Sequence, residues 1–417
     1  MEPTVKPKAQ AAIWFIFITL LIDITGFGII IPVLPDLIRK LLHGDISMAA
    51  RYGGYLTVAY SLMQFVFAPV IGNLSDKYGR RPVLLASLLG FSIDYLFLAF
   101  APTIWWLFLG RIIAGITGAS FTTASAYIAD ISTNEDRAKN FGMIGAAFGL
   151  GFIIGPALGG VLGDIGIRLP FLAASGLALL NALYGFFILP ESLPIEKRRE
   201  FDIKRANPVG SLKQLGKYPS VLGLVASFVL IYLAAHAVQS VWNYFTEYNF
   251  NWSKKMVGAS LAFVGLLIGL VQALLTRVVV PKLGNQRSVI AGLLLYTSGL
   301  VFFSFASQSW MMFVFLVPYC LGGIAGPSLQ SIITSEVPAD EQGELQGALT
   351  GLMSVTSIFG PWIMTSVFAF FTSDRAPFHF PGAHFMLGAV FMLLSAVFAA
   401  RSFKKEAKRN GDSTASV

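Results

Sequence analysis

Long apolar runs separated by short polar stretches organise the chain. They lie near 11–34, 52–71, 82–100, 104–128, 139–163 and 169–189, and, beyond a polar stretch at 190–217, near 219–245, 256–280, 287–306, 309–334, 343–370 and 381–402. Each approaches or exceeds the ~20 residues an α-helix needs to cross a hydrocarbon core about 30 Å thick. An open sheet would leave its edge unsatisfied in lipid, so these runs predict helices. The expected fold class is an all-α membrane protein with twelve transmembrane helices, six on each side of the polar stretch.

Composition agrees with that pattern. Of 417 residues, 55% are hydrophobic and only 12% charged, which excludes an ordinary soluble globule. The formal net charge of +8 would suggest nucleic acid in a soluble protein. Here the basic residues sit between apolar runs and point to orientation in a membrane instead. Placing both termini in the cytoplasm puts Lys77, Arg80, Arg81, Arg137, Lys139, the Lys197–Arg199 run, Lys282, Arg287 and Lys404–Arg409 inside, against Arg39, Lys40, Arg51, Arg168, Lys254, Lys255 and Arg375 outside. The expected location is the plasma (inner) membrane, multi-pass. The first run follows Lys6 and Lys8 as a signal peptide would, yet it contains Asp23 and has no small-residue cleavage site, so it is expected to be a retained helix. A single cysteine, Cys320, leaves no intrachain disulfide and no thiolate metal site. No cofactor, no metal and no nucleic-acid partner is expected; the partners are a small molecule, protons and the lipid bilayer, and the protein is expected to be monomeric. With no Ser/His/Asp set and no phosphate loop, an enzyme is not expected.

The expected domains are 1–189 as one six-helix bundle, 190–217 as a cytoplasmic linker, 218–403 as a second bundle and 404–417 as a disordered cytoplasmic tail. The two bundles repeat. Gly110–Ser120 resembles Pro318–Ser328, and Phe141–Pro156 resembles Gln346–Pro361, in each case about half a chain apart. Such duplication predicts pseudo-symmetric halves with a substrate site between them near mid-membrane.

Three ionisable residues fall inside runs: Asp23, Asp94 and Arg111. A charge in hydrocarbon is costly, so each must pair, face a cavity or be neutral. Desolvation favours the protonated carboxyl, which makes the two aspartates candidate proton carriers. An Asp–Arg pair that only holds helices together is the alternative. Tyr60 and Gln64, His236, Gln239 and Asn243, Gln272, Tyr296 and Gln330 are polar positions in other runs and candidate cavity residues; aromatic and polar side chains together suit a partly apolar organic substrate. His236 is either a proton relay or a neutral hydrogen-bonded helix residue.

The loop Gly72-Asn-Leu-Ser-Asp76-Lys-Tyr-Gly79-Arg80-Arg81 is dense in charge, with a glycine at either end expected to let the chain reverse. Asp76 lies within reach of Arg80 and Arg81, and Asp130 is placed to pair with either, latching this half. The matching loop, Val280–Arg287, has no acidic residue. In 145–160, Gly151, Gly155 and Gly159 stand at four-residue spacing beside Gly145, Gly149 and Pro156, a smooth stripe for close helix packing. Gly343, Gly347 and Gly351 repeat the device.

The Gly72–Arg81 loop resembles the signature loop of the major facilitator superfamily, and Gly151-x-x-x-Gly155-Pro156-x-x-Gly159-Gly160 resembles the motif of its antiporters. Asp23 through Gly26, Gly28, Pro32 and Pro35, then Tyr60 through Gln64 to Pro69, Asp94-Tyr95, Tyr127 through Asp130, Val257 through Gln272 and Glu341 through Gly347 resemble the tetracycline/proton antiporter branch over nearly the whole chain. That resemblance implies export of a drug-like molecule in exchange for protons by alternating access. It makes Asp23, Asp94 and Arg111 coupling positions, and Asp76, Arg80 and Asp130 the latch. Tetracycline exporters carry an ionisable His in span 8 and an Asp in span 9; here Ile268 and Tyr296 stand in those places. The competing readings are a proton-coupled symporter or facilitator importing a nutrient such as a sugar, and a membrane receptor or scaffold that transports nothing.

Overall fold

The computed structural model describes residues 7–118, 120–132, 137–201, 221–337 and 342–414; the side chains of 7–11, 120–122, 137–142, 144–145, 197, 273, 277, 342–344, 346–347 and 406–414 are outside the described set. Among the described residues the regular structure is helical, without strands. The first half runs α1 (Pro7–Ile30), α2 (Leu34–Leu42), α3 (Ile46–Tyr78), α4 (Arg80–Phe100), α5 (Ile104–Thr117), α6 (Ser120–Ile131), α7 (Arg137–Ile165) and α8 (Leu169–Ile188). The second runs α9 (Leu222–Gln239), α10 (Trp242–Phe250), α11 (Lys254–Leu270), α12 (Thr276–Leu283), α13 (Asn285–Ser304), α14 (Ser309–Leu321), α15 (Ala325–Ser335), α16 (Gln342–Phe371) and α17 (Ala383–Thr414).

Every predicted span has a helix or a helix pair. Ten segments of the described residues are long and apolar enough to cross a membrane, one of them α14 and α15 together. The other two spans are divided: 104–128 into α5 and α6, and 256–280 into α11, a π turn over Val271–Leu275, and α12. Four differences stand out. The short α2 departs from the pattern of long apolar runs, because Leu34, Leu37 and Ile38 on one face and Asp36, Arg39 and Lys40 on the other make a nine-residue amphipathic helix, too short for a span. The span at 52–71 is the middle of a helix of 33 residues. Gly72 is helical, so the reversal rests on Gly79 alone, whose φ of 103° is open to glycine without strain. The tail expected to be disordered continues α17 as far as Thr414, because Lys404 to Arg409 are mostly good helix formers; 415–417, like 202–220 of the linker, lie outside the described residues.

The chain packs into two compact units, Met1–Asp45 with Ala59–Asn207 and Trp252–Gly265, and Ile46–Val58 with Pro208–Asn251 and Leu266–Val417. Their boundaries run through α3 and α11. The first turns of α3 belong to the second unit because Gly53 and Gly54 let the backbone reach Tyr244 and Thr365. The start of α11 belongs to the first, where Gly258 and Gly265 lie against Pro156 and Ile153 of α7. The first unit has a largely aliphatic core of Ile16, Leu20, Ile24, Leu84, Ile128 and Leu189 around Phe15 and Tyr127. The second is aromatic: Trp242 meets Phe303 edge-on at 5.3 Å between ring centroids, and Phe245 meets Phe385 at 4.9 Å. Each unit also ties two helices with paired serines: Ser92 and Ser175 each donate to the other's carbonyl, and Ser395 donates to the Ser227 carbonyl with the two hydroxyls 2.6 Å apart.

Candidate functional site

In the first unit the intramembrane charges come together. Asp94, on α4, is fully buried and ion-paired with Arg111, on α5, itself only 8% exposed. The helices approach closely here because residue 110 is glycine: a Cβ would lie 2.7 Å from the Asp94 carboxylate. The Arg111 guanidinium sits 5.8 Å from the centre of the Tyr60 ring, a cation–π contact that offsets part of its desolvation. Gln64, one turn along α3, donates its amide to the Tyr60 hydroxyl at 3.3 Å and to the Gly118 carbonyl at 3.1 Å. Asp23 is half-buried on α1. The Tyr95 ring packs over Gly26, 3.6 Å from where a Cβ would stand. Tyr60 thus faces Arg111, and Tyr95, absent from the candidate residues, packs against α1, the helix that carries Asp23. The place of Tyr95 directly after Asp94 was the available signal.

The glycine stripe of α7 packs on α1. A Cβ at Gly151 would lie 2.8 Å from Ile24, one at Gly155 2.6 Å from the Thr25 carbonyl, and one at Gly159 would overlap the Ile29 carbonyl. Pro156 meets Gly28 of α1 on the same side. Gly149 does not share in this contact, since a Cβ there would have nothing within 4 Å. Its position is two residues before Gly151 and so on another face of the helix. The surroundings of Gly145, Gly343 and Gly347 lie outside the described residues.

At the end of α3 the charges form a web that is larger than the loop alone suggests. Arg80 contacts the Asp76 carboxylate at 2.5 Å and the Asp130 carboxylate at 3.1 Å, and also donates to Ser75 Oγ at 2.6 Å. Arg81 does not take Asp130; it donates to the Phe186 carbonyl at 2.5 Å and covers the Phe186 ring. Glu191 is the partner the sequence did not announce. Its carboxylate accepts the backbone N–H groups of Arg80 at 2.8 Å and Arg81 at 3.3 Å, capping α4 at its positive end. Gly79 makes room, because a side chain there would collide with Glu191. Ser192 donates to Asp130 at 3.1 Å, and Tyr127 donates to the Pro190 carbonyl at 2.8 Å. The acidic residue beside Pro190 was the only local clue.

The remaining candidates lie in the second unit. Buried His236 fits into a notch at Gly360, where a Cβ would meet its ring. Asn243 is buried on α10, whereas Gln239 and Gln330 are exposed. Half-buried Tyr296 packs on Gly322 and, at 5.1 Å between centroids, on Tyr319. Gln272 donates to the Gly323 carbonyl at 3.5 Å. Ile268 is 43% exposed, one turn before Gln272. Among the described residues, no group of His, Cys, Asp and Glu side chains is arranged to hold a metal ion.

A family model described as Major Facilitator Superfamily matches residues 16–287 and 227–416. The chain belongs to the Major Facilitator Superfamily. Its members are membrane carriers rather than enzymes, and this chain is accordingly a multi-pass, all-α membrane protein with the facilitator fold. It is similar to the tetracycline resistance protein, class C, of Escherichia coli, with 44% identity over 362 residues, 87% of this chain and 91% of the relative. It is also similar to multidrug resistance protein 2 of Bacillus subtilis (strain 168), with 31% identity over 383 residues, 89% and 93% of the two chains. Among solved structures, the human organic anion transporter MFSD10 (TETRAN) has the same fold, with a TM-score of 0.71 and 23% identity over 94% of this chain and 100% of that one.

Proposed function

We propose that this chain exports a small amphipathic organic or drug-like molecule in exchange for protons entering the cell, by alternating access in the plasma (inner) membrane. One observation carries the reading: the buried Asp94–Arg111 pair, faced by Tyr60, in the same unit as the half-buried carboxyl of Asp23, in a chain similar over most of its length to drug resistance proteins. In this scheme Asp23 takes up the proton. Its neutralisation changes the field felt by Arg111, and Asp94 keeps the guanidinium in place until the substrate or the proton competes. Tyr60, Gln64, His236, Gln239, Asn243, Gln272, Tyr296 and Gln330 supply substrate contacts. Asp76, Arg80 and Asp130, with Gly79 and Glu191, form a latch on the cytoplasmic side, where both termini lie. The functional halves are 1–189 and 218–403 joined by the 190–217 linker, and the protein works as a monomer.

The driving force is sufficient. One proton crossing 100 mV supplies about 2.3 kcal/mol, and each pH unit adds about 1.4. At one pH unit the two together sustain a roughly five-hundredfold substrate gradient for one proton per substrate.

Proteoliposomes with an imposed pH gradient test the proposal, using tetracycline and a panel of amphipathic antibiotics and dyes as probes. Opposed fluxes of probe and protons are expected. Parallel fluxes would establish the importing symporter instead. Asp23→Asn is expected to abolish gradient-driven accumulation with probe binding retained; undiminished accumulation would remove Asp23 from the coupling step. Tetracycline is the most informative probe, because Ile268 and Tyr296 replace ionisable residues of its exporters.

A further inference from the structure

Two helix beginnings are exchanged between the units. The first turns of α3, Ile46–Val58, pack in the second unit, and the first turns of α11, within Trp252–Gly265, pack in the first. The exchanged segments are counterparts in the repeat. A short helix precedes each, α2 and α10, and both elements begin 208 positions after their equivalents (34 to 242, 46 to 254).

The exchange is secured differently in the two units. In the second it is neutral: Tyr244 of α10 fills the space left by Gly53, and Thr365 the space left by Gly54. Ser47 and Thr372 add a hydrogen bond of 2.7 Å. In the first unit the counterpart of Tyr244 is Asp36, on α2. Its carboxylate is ion-paired with Lys254, the first residue of α11, and lies 3.6 Å from Arg39.

This pair is built into the packing of α7. Beside the Gly151–Gly155–Gly159 stripe that helix has a second contact face, Ile153, Pro156, Gly160 and Gly163, at spacings of three and four residues. Ile153 meets Gly265 and the Pro156 carbonyl meets Gly258 of α11. A Cβ at Gly160 would stand 2.6 Å from the Lys254 carbonyl, and one at Gly163 2.8 Å from Lys254 Cδ. The lysine stem therefore crosses α7 over Gly163, and its ammonium reaches Asp36. Gly163 is in the last turns of α7, whereas Asp130 comes just before that helix begins, so the pair and the Asp76–Arg80–Asp130 web stand at opposite ends of it.

Each side chain of the pair is 24% exposed. An ion pair in such a setting changes an equilibrium by no more than about fivefold. A tie of that size biases a conformational equilibrium without locking it. We propose that Asp36 and Lys254 form a releasable tie, which keeps the start of α11 on α7 and whose opening exposes that contact at the membrane face opposite the web. The inference rests on the transport reading above, in which the chain opens to each face in turn, but its decisive measurement needs no substrate.

The test times the labelling of one thiol by an uncharged maleimide in lipid nanodiscs. Val257, buried about one turn along α11 from Lys254, carries the thiol as Val257→Cys in a chain with Cys320→Ala. Asp36→Asn and Lys254→Met are each expected to speed labelling about two- to fivefold. Asp36→Lys combined with Lys254→Asp is expected to return it to the starting rate. Raising the salt to about 1 M, which screens charges beyond about 3 Å, should speed labelling where the pair is intact and leave the Lys254→Met chain unchanged. The salt comparison alters neither residue of the intact pair, so a misfolded variant cannot mask the answer. Equal rates in all chains would overturn the proposal. So would opposite changes in the two single variants, which report only the local field on the thiol, or a reversed pair as fast as the single variants. Should proteoliposomes move no probe, the transport reading falls while the labelling still decides whether the tie exists.

Discussion

The two units share a repeat in sequence and differ in where they keep charge. The first contains Asp23, Asp94 and Arg111 within its spans and, at the end of α3, the Asp76–Arg80–Asp130 web. The second has tyrosine, glutamine, asparagine and histidine at its interior polar positions, and its matching loop 280–287 carries bases without an acid. What both retain is a glutamine whose amide reaches a glycine carbonyl, Gln64 to Gly118 and Gln272 to Gly323, and the paired serines. A duplicated scaffold can thus keep its neutral hydrogen-bonded contacts twice and its Asp–Arg pair once. The reason is energetic: every buried charge needs a compensating partner and a desolvated setting built around it, whereas a neutral amide or hydroxyl needs only one or two hydrogen bonds.

Removing one partner from the buried pair is the strongest way to break this contrast. Arg111→Leu leaves Asp94 buried without its cation and is expected to cost about 3–5 kcal/mol, seen as a large fall in the thermal unfolding midpoint in detergent. The double variant Asp94→Asn with Arg111→Gln is expected to recover most of that stability while gradient-driven transport stays absent. Recovery of both would reduce the pair to a structural tie, and the units would no longer differ in kind.

The α1–α7 contact comes next. Gly159→Leu forces a side chain onto the Ile29 carbonyl and is expected to destabilise by about 1–3 kcal/mol or more. Gly149→Ala on the open face should stay within about 0.5 kcal/mol. Equal effects at the two positions would mean that the stripe is not what brings the helices together.

Loss of the proposed latch is a smaller effect. Asp130→Asn removes a partly exposed partner of Arg80 and is expected to change stability by no more than about 1 kcal/mol. The informative readout is labelling of single cysteines along α6, which should become faster. A Glu191→Gln variant should act in the same direction through the α4 N-terminus, by about 0.3–1 kcal/mol. Labelling unaltered in both would leave the web as a solvated surface cluster.

Most of the architecture was legible in the linear chain. Apolar runs of membrane-crossing length announce helices because lipid leaves the backbone no other partner than itself. The rarity of charge inside those runs singled out Asp23, Asp94 and Arg111, since each is too costly to keep without a function or a partner. The four-residue glycine spacing likewise named Gly151, Gly155 and Gly159 as a contact face. Other features required the folded chain. Asp94 and Arg111 choose each other only where Gly110 lets α4 and α5 close together. Glu191 reaches α4 from a stretch that looks like ordinary linker. Gly149 departs from the stripe by the angle of two helical residues. Gln64 and Gln272 read as polar cavity candidates, and only the folded chain shows that their amides also reach the carbonyls of Gly118 and Gly323. Composition and period report how each segment meets lipid, a solvent that is the same along its whole length. Which side chain meets which carbonyl depends on distances between segments far apart in the chain, and those are set by packing.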